Sequence, residues 1–403
     1  MKNTLCLLLL LGLHFATFAQ NKDFRLIRKY IRDFKRYSLE ELNEQNVDSV
    51  VVLDLEQENL KRVPAIVFKL KHLQYLDLSE NNIKRLPWRM KRLERLKVLF
   101  VSENNLRRIP RSITRIDSLL ILNANENKIK RLPGTIGKLR QLHTMELASN
   151  RIKRLPKSIS KQVALEKLQV SGNELIELPA SFHKLRELTY FGVAANQLET
   201  LPDSFGFGQK IELLDLNENN LRELPASFVH LKQLEKVRLS NNRFAVFPQE
   251  LTKMERLHLL DLTHNELSQL PGDIVKMKHL NALLLAYNRL SSLPATLLTM
   301  QNLDLLDLGY NRFEEFPVRA LAIGSLTSLY LHNNHITHVP EFTSLNTNLR
   351  SLHLYQNNLA EPPYSLLNLD KLEYLYLDEN AFSDALQKEI KERFAGKCRV
   401  YFE

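Results

Sequence analysis

The sequence predicts an α/β repeat array, in which short coils stack side by side and each contributes one strand. Three observations carry this. First, apolar residues return at a fixed step of 23 residues: Val50, Leu73, Leu96, Leu119, Leu142, Leu165, Leu188, Ile211, Leu234, Leu257, Leu280, Leu303, Leu326, Leu349 and Leu372. Calling these position 1, the coil from Leu73 places Leu76 and Leu78 at positions 4 and 6, a two-residue alternation that reads as a strand. Second, position 9 is Asn from Asn81 through Asn380, with Glu58 in the first coil. An amide can both donate to and accept from backbone groups that a tight turn leaves unpaired. Third, position 15 is Pro from Pro64 to Pro363, and a residue with no N–H marks where the strand has ended. No coil this short can bury its apolar face alone, so neighbours must supply one continuous core.

Within this frame, positions 3, 5 and 7 are expected to face outward. Gln162, Gly208 and Asn346 replace the apolar residue at position 21, and Thr343 replaces it at position 18. Looser segments are expected over 203–210 and 341–347. At 403 residues, length alone suggests two or three domains, but the unbroken period predicts one array over 50–382.

The run LxxLxLxxNxLxxLP resembles the leucine-rich repeat in its 23-residue LPxx form, and the resemblance covers 50–382. It implies a right-handed solenoid, a horseshoe with a parallel concave sheet and short convex turns, 3₁₀ or helical pieces. It also implies a non-catalytic scaffold that binds partners on the concave face.

Both ends depart from the period. Residues 1–19 read as a cleaved signal peptide, with Lys2, an apolar core over Leu5–Leu13 and a small-x-small site before Gln20. The expected location is therefore secreted or periplasmic. The apolar run is shorter than the roughly 20 residues a membrane span needs, and no other transmembrane candidate exists. Residues 20–49 read as a helical cap. Phe24, Ile27, Tyr30, Ile31 and Phe34 recur at helical spacing among Lys and Arg, and a capping box at Ser38–Glu41 suggests a second short helix. A basic amphipathic segment of this kind can alternatively lie on a membrane surface. Residues 383–403 read as a helix–strand cap: Ser383 or Asp384 starts a helix through Phe394, Gly396 stops it, and a last strand covers Cys398–Tyr401. Continuing the count of 23 puts Cys398 at position 4, where Leu normally sits, as a buried, inert thiol.

Outward positions should form ladders about 4.8 Å apart. One is aromatic, at positions 3, 5, 7 and 8 of the C-terminal coils: Tyr287, Tyr310, Tyr330, His332, His353, Tyr355, Tyr374 and Tyr376. Tyrosines on a rigid sheet make good anchors for a protein or glycan partner; the blander reading is stacking that merely covers the sheet. The N-terminal coils instead place Asp54, Glu56, Asp77, Glu80 and Glu103 on that face. The other ladder is basic, at positions 12 and 13: Lys61, Arg62, Lys84, Arg85, Arg107, Arg108, Lys130, Arg131, Lys153 and Arg154. Like charges about 5 Å apart repel by roughly 0.8 kcal/mol in water before salt screening. The formal net charge of +10 is thus locally concentrated. This flank could be simply solvated, or it could take a polyanion such as an acidic glycan or lipopolysaccharide phosphates. An exported chain seldom meets nucleic acid. A structural surface component without a specific ligand is a third reading.

His332, His335, His338 and His353 invite a metal reading, but their positions in the repeat do not converge on one ion, so no metal is expected. No GxSxG, HExxH, paired CxxC or phosphate-binding glycine loop is present, and no enzyme activity or cofactor is expected.

Overall fold

A computed structural model describes residues 33–42, 47–342 and 348–402. The chain falls into two compact units, 1–215 and 216–403. Each is a stack of 23-residue coils with a parallel sheet. In the first unit the strands run from β1 (Arg36–Tyr37) and β2 (Val52–Asp54) to β9 (Leu213–Asp215), pairing in chain order. In the second they run from β10 (Lys236–Arg238) to β17 (Arg399–Tyr401), also in chain order. Register follows the period, with Tyr75 opposite Val98 and Leu305 opposite Ser328.

From β2 onward each strand is three residues long, at positions 3 to 5, and the backbone turns at position 8. There it takes a left-handed conformation coil after coil, as at Glu80 (φ 53°) and Glu103 (φ 51°). That conformation costs a non-glycine residue about 1–2 kcal/mol, so something must hold it. Part of the answer is position 9. The Asn104 amide accepts from Ile83 N–H at 2.8 Å and donates to the Leu78 carbonyl at 2.8 Å, both in the preceding coil. It also donates to its own coil at Ser102. Asn150 and Asn288 repeat this pattern. Each of these three Asn is therefore a buried bridge between coils.

After position 15 the chain makes one 3₁₀ turn. The Pro87 carbonyl accepts from Met90 N–H at 3.1 Å, and Met90 at position 18 is fully buried. Residues 203–208 form turns and bends instead of a 3₁₀ helix, which matches the looser segment expected there. Gln209 enters the slot that Gly208 leaves empty and donates to the Phe182 carbonyl at 3.2 Å. The second segment expected to be loose falls largely on 343–347, outside the described residues.

Three expectations need revision. Most of the cap over 20–49 lies outside the described residues, but Arg36–Tyr37 is a strand paired with β2. Residues 39–41 form a bend and turn, with Ser38 N–H bonded to the Glu41 carboxylate at 2.9 Å, and residues 43–46 of the expected second helix lie outside the described residues. The signal-peptide reading also lies outside the described residues. Position 3 of the first coils is not solvent-facing: Val52, Tyr75, Val98 and Ile121 form a buried apolar column, packed with Val51, Phe100 and Leu120. Cross-strand neighbours cover one another there, as in the edge-on contact of Tyr75 with Phe100 at 5.6 Å.

The third revision concerns the C-terminus. Helix α1 (Asp384–Phe394) starts at Ser383, whose hydroxyl accepts from Leu386 N–H, and Gly396 follows at φ 83°. The last strand then pairs Leu375 with Val400, a step of 25 rather than 23. An α-helix rises about 1.5 Å per residue against about 2.0 Å for a 3₁₀ turn, so it uses more residues to cross a coil. Val400, not Cys398, takes position 4. Cys398 precedes the strand and is half-buried, its thiol pushed up to about 11 by burial.

Candidate functional site

The second unit gathers nearly all the expected aromatic residues into two columns. One follows position 5: Tyr330 stacks on His353 at 4.1 Å, His353 on Tyr376 at 4.2 Å, and Tyr376 on Tyr401 at 4.6 Å. The other follows positions 7 and 8. His264 stacks on Tyr287 and Tyr287 on Tyr310, both at 3.8 Å; Tyr310 meets His332 edge-on at 5.3 Å, and His332 stacks on Tyr355 at 4.6 Å. Edge contacts of Tyr330 with His332 and of His353 with Tyr355 join the columns. Tyr374 stands apart at position 3, half-buried opposite Arg399.

Backbone geometry makes this possible. Tyr287 and Tyr310 occupy the left-handed position 8 with φ 56° and 53°, held by N–H bonds to the carbonyls of Gly309 and His332 in the next coil. Bulky residues rarely adopt that conformation. Gly309 has a separate role: a Cβ there would lie 2.3 Å from the His332 ring, so its absence lets the ring lie flat.

The two histidines are not presented to a partner as the sequence suggested. His332 is 1% exposed and His353 5%, because each is covered by flanking rings or backbone. Burial lowers the imidazole of His332 to about 4 and that of His353 to about 3, so both are neutral at pH 7. They space and support the tyrosines. On the preceding strand, opposite Tyr330, the Asp307 carboxyl is raised to about 6 by burial and accepts from Gly309 N–H at 3.0 Å. Burial raises the Tyr330 phenol to about 12 and also raises those of Tyr287 and Tyr376. These hydroxyls stay protonated and can donate. A shallow groove of about 580 Å³ runs along His264, Tyr287 and Tyr310, with Arg289, Arg312 and His335 on its rim. Arg289 is paired with Glu266 at 2.8 Å.

Sequence reasoning missed Tyr401, displaced by the 25-residue step, and His264, which precedes Tyr287 at the same position. A search for aromatics at position 8 alone would have found the latter.

The basic ladder lies in the first unit, and all ten of its side chains are exposed. The sixth coil ends it and supplies partners: Lys153 pairs with Glu174 at 3.7 Å and Arg154 with Glu177 at 3.3 Å. Among the described residues, Lys61, Arg62, Lys84, Arg85, Arg107, Arg108, Lys130 and Arg131 form no ion pair. Arg108 and Arg131 flank a groove of about 560 Å³. Among the described residues there is no group of three or more His, Cys, Asp or Glu that could hold a metal ion, and no helix is long and apolar enough to cross a membrane.

Coils stacked on asparagine bridges, each adding one short parallel strand, define a solenoid repeat protein. The chain belongs to the leucine-rich repeat family: a leucine-rich repeat region matches 38–149, and leucine-rich repeats match 140–198, 186–244, 232–290, 255–313 and 324–382. No curated protein matches it. Among solved structures it is similar to a leucine-rich repeat protein of Leptospira interrogans, at 28% identity and a TM-score of 0.81, covering 92% of this chain and 100% of that one. It is also similar to the plant peptide hormone receptor RGFR1 in complex with RGF2, at 27% identity and a TM-score of 0.68, over 87% of this chain and 57% of the receptor chain. The Drosophila Toll–Spatzle complex shares the fold at 20% identity and a TM-score of 0.67, over 87% of this chain and 54% of that one. The fold is commonly a protein-binding scaffold.

Proposed function

We propose that this chain is an exported, non-catalytic scaffold that takes a protein or glycan partner on the sheet face of its second unit. The observation carrying this is the pair of stacked columns, in which Tyr287, Tyr310, Tyr330, Tyr355 and Tyr376 are exposed or half-buried and stack in line with buried histidines. Stacking fixes each ring before a partner arrives, so little side-chain entropy remains to be lost. Phenol hydroxyls and flat ring faces suit both a peptide backbone and a sugar. Residues 1–19 are the basis for export; the mass of the mature protein recovered outside the cytoplasm tests it.

Capture of a partner from the native surroundings should fail for a Tyr330→Ala/Tyr355→Ala double variant whose circular dichroism matches wild type. Undiminished recovery removes the site. The unpaired cations of the first unit favour a second reading, a polyanion such as an acidic glycan or lipopolysaccharide on the flank. Retention on heparin that collapses with added salt, and is lost on Arg107→Ala/Arg108→Ala/Lys130→Ala/Arg131→Ala, supports that reading. A structural surface component with no specific ligand would pass neither test.

A further inference from the structure

Trp88 is the only tryptophan in the sequence, and 60% of it is exposed. It opens the 3₁₀ turn Trp88–Arg92 in the first unit. The core does not use it, because Met90 is the buried residue of that turn. Three cations gather around the indole: the Lys91 ammonium lies 5.2 Å from the ring centre, and the Arg92 and Arg89 guanidinium carbons lie 5.8 and 5.9 Å away. Among the described residues none of the three forms an ion pair with a carboxylate. Over 85–95 the sequence carries Arg85, Arg89, Lys91, Arg92 and Arg95 against Glu94 alone. Exposed Lys69 and Arg115 end the 3₁₀ turns of the two flanking coils.

We propose that this patch docks the first unit on the surface of an anionic phospholipid bilayer, with the indole in the interfacial layer and Arg89, Lys91 and Arg92 against headgroup phosphates. An amphipathic ring with one N–H donor is stabilised at the level of the headgroups. Lysine and arginine beside it can lay their stems along the apolar boundary and keep their charges at the phosphates. Each basic residue near an anionic leaflet strengthens attachment. The tryptophan is what selects a bilayer over a soluble polyanion. A polyanion would satisfy the cations and leave a large apolar ring in water, whereas a bilayer accommodates both. This site uses none of the tyrosine columns, so the two readings stand or fall separately.

The lone tryptophan is its own reporter. With full-length protein, vesicles of phosphatidylcholine and phosphatidylglycerol should shift its emission to shorter wavelength, and brominated lipid should quench it. Vesicles of phosphatidylcholine alone should do neither. In sedimentation with the mixed vesicles, Trp88→Ala should weaken partitioning on the order of tenfold, and each of Arg89→Ala and Arg92→Ala about fivefold. Lys130→Ala/Arg131→Ala should keep most of the binding. Thermal melts confirm that the variants fold. Sedimentation with an unmoved emission spectrum would show that other cations bind and overturn the proposal. So would heparin binding that is equal in wild type and Trp88→Ala and is accompanied by no vesicle binding.

Discussion

Acidification should loosen the second unit, and His353 shows by how much. In the folded chain its imidazole is sandwiched between Tyr330 and Tyr376 and titrates at about 3, against an ordinary value of 6.5. In the unfolded chain it protonates freely. Below pH 6.5 the unfolded state therefore binds more protons, and stability falls with pH by about 1.4 kcal/mol per unit until the folded value is reached. From pH 7 to pH 5 this one ring should cost about 2 kcal/mol. His332, at about 4, adds a similar loss over that window. Asp307 works in the opposite sense: raised to about 6, it takes up a proton in the folded state first, so its penalty is relieved as pH falls from 6 towards 3.8. The clean measurement is a difference. His353→Phe keeps a flat ring in the stack and gives up the 2.9 Å contact with the Ser351 hydroxyl, a loss present at both pH values. Urea titrations at pH 7 and pH 5 should show the variant losing about 2 kcal/mol less than wild type between them. Equal losses in the two proteins would mean that His353 is not held neutral, and the reasoning would fail.

Three further outcomes follow from the same geometry. Asp307→Asn retains an acceptor for Gly309 N–H and removes a buried charge, so it should stabilise the protein by up to about 3 kcal/mol at pH 7.5. Below pH 4 it should change nothing, as thermal melts at the two pH values will show. Gly309→Ala places a methyl group in the His332 ring; it should destabilise by about 1–3 kcal/mol and move the imidazole resonance of His332 back towards ordinary titration. Asn150→Ala leaves Ile129 N–H and the Ala124 carbonyl without their bridge, and should lower stability by about 2–4 kcal/mol in urea titration.

The period, the inward residues and the chemistry of positions 9 and 15 were legible from sequence, because every coil solves the same packing problem with the same residues. Most of the tyrosine ladder was legible too, since equal positions in stacked coils become neighbours, but Tyr374 falls outside the stacks and His264 and Tyr401 join them. What sequence could not show was which members face water. Position 7 carries both His332, buried over Gly309, and Tyr355, half-open, and the difference arises in the neighbouring coil. Nor could counting place Val400 opposite Leu375, since that step depends on the rise of the helix spanning the last coil. The left-handed turn at position 8 was equally hidden, because Glu, Ser, His and Tyr all occupy it and only the hydrogen bonds between coils hold them there. Repetition is written in the chain one coil at a time; burial and ring stacking belong to pairs of coils, and tertiary structure alone decides them.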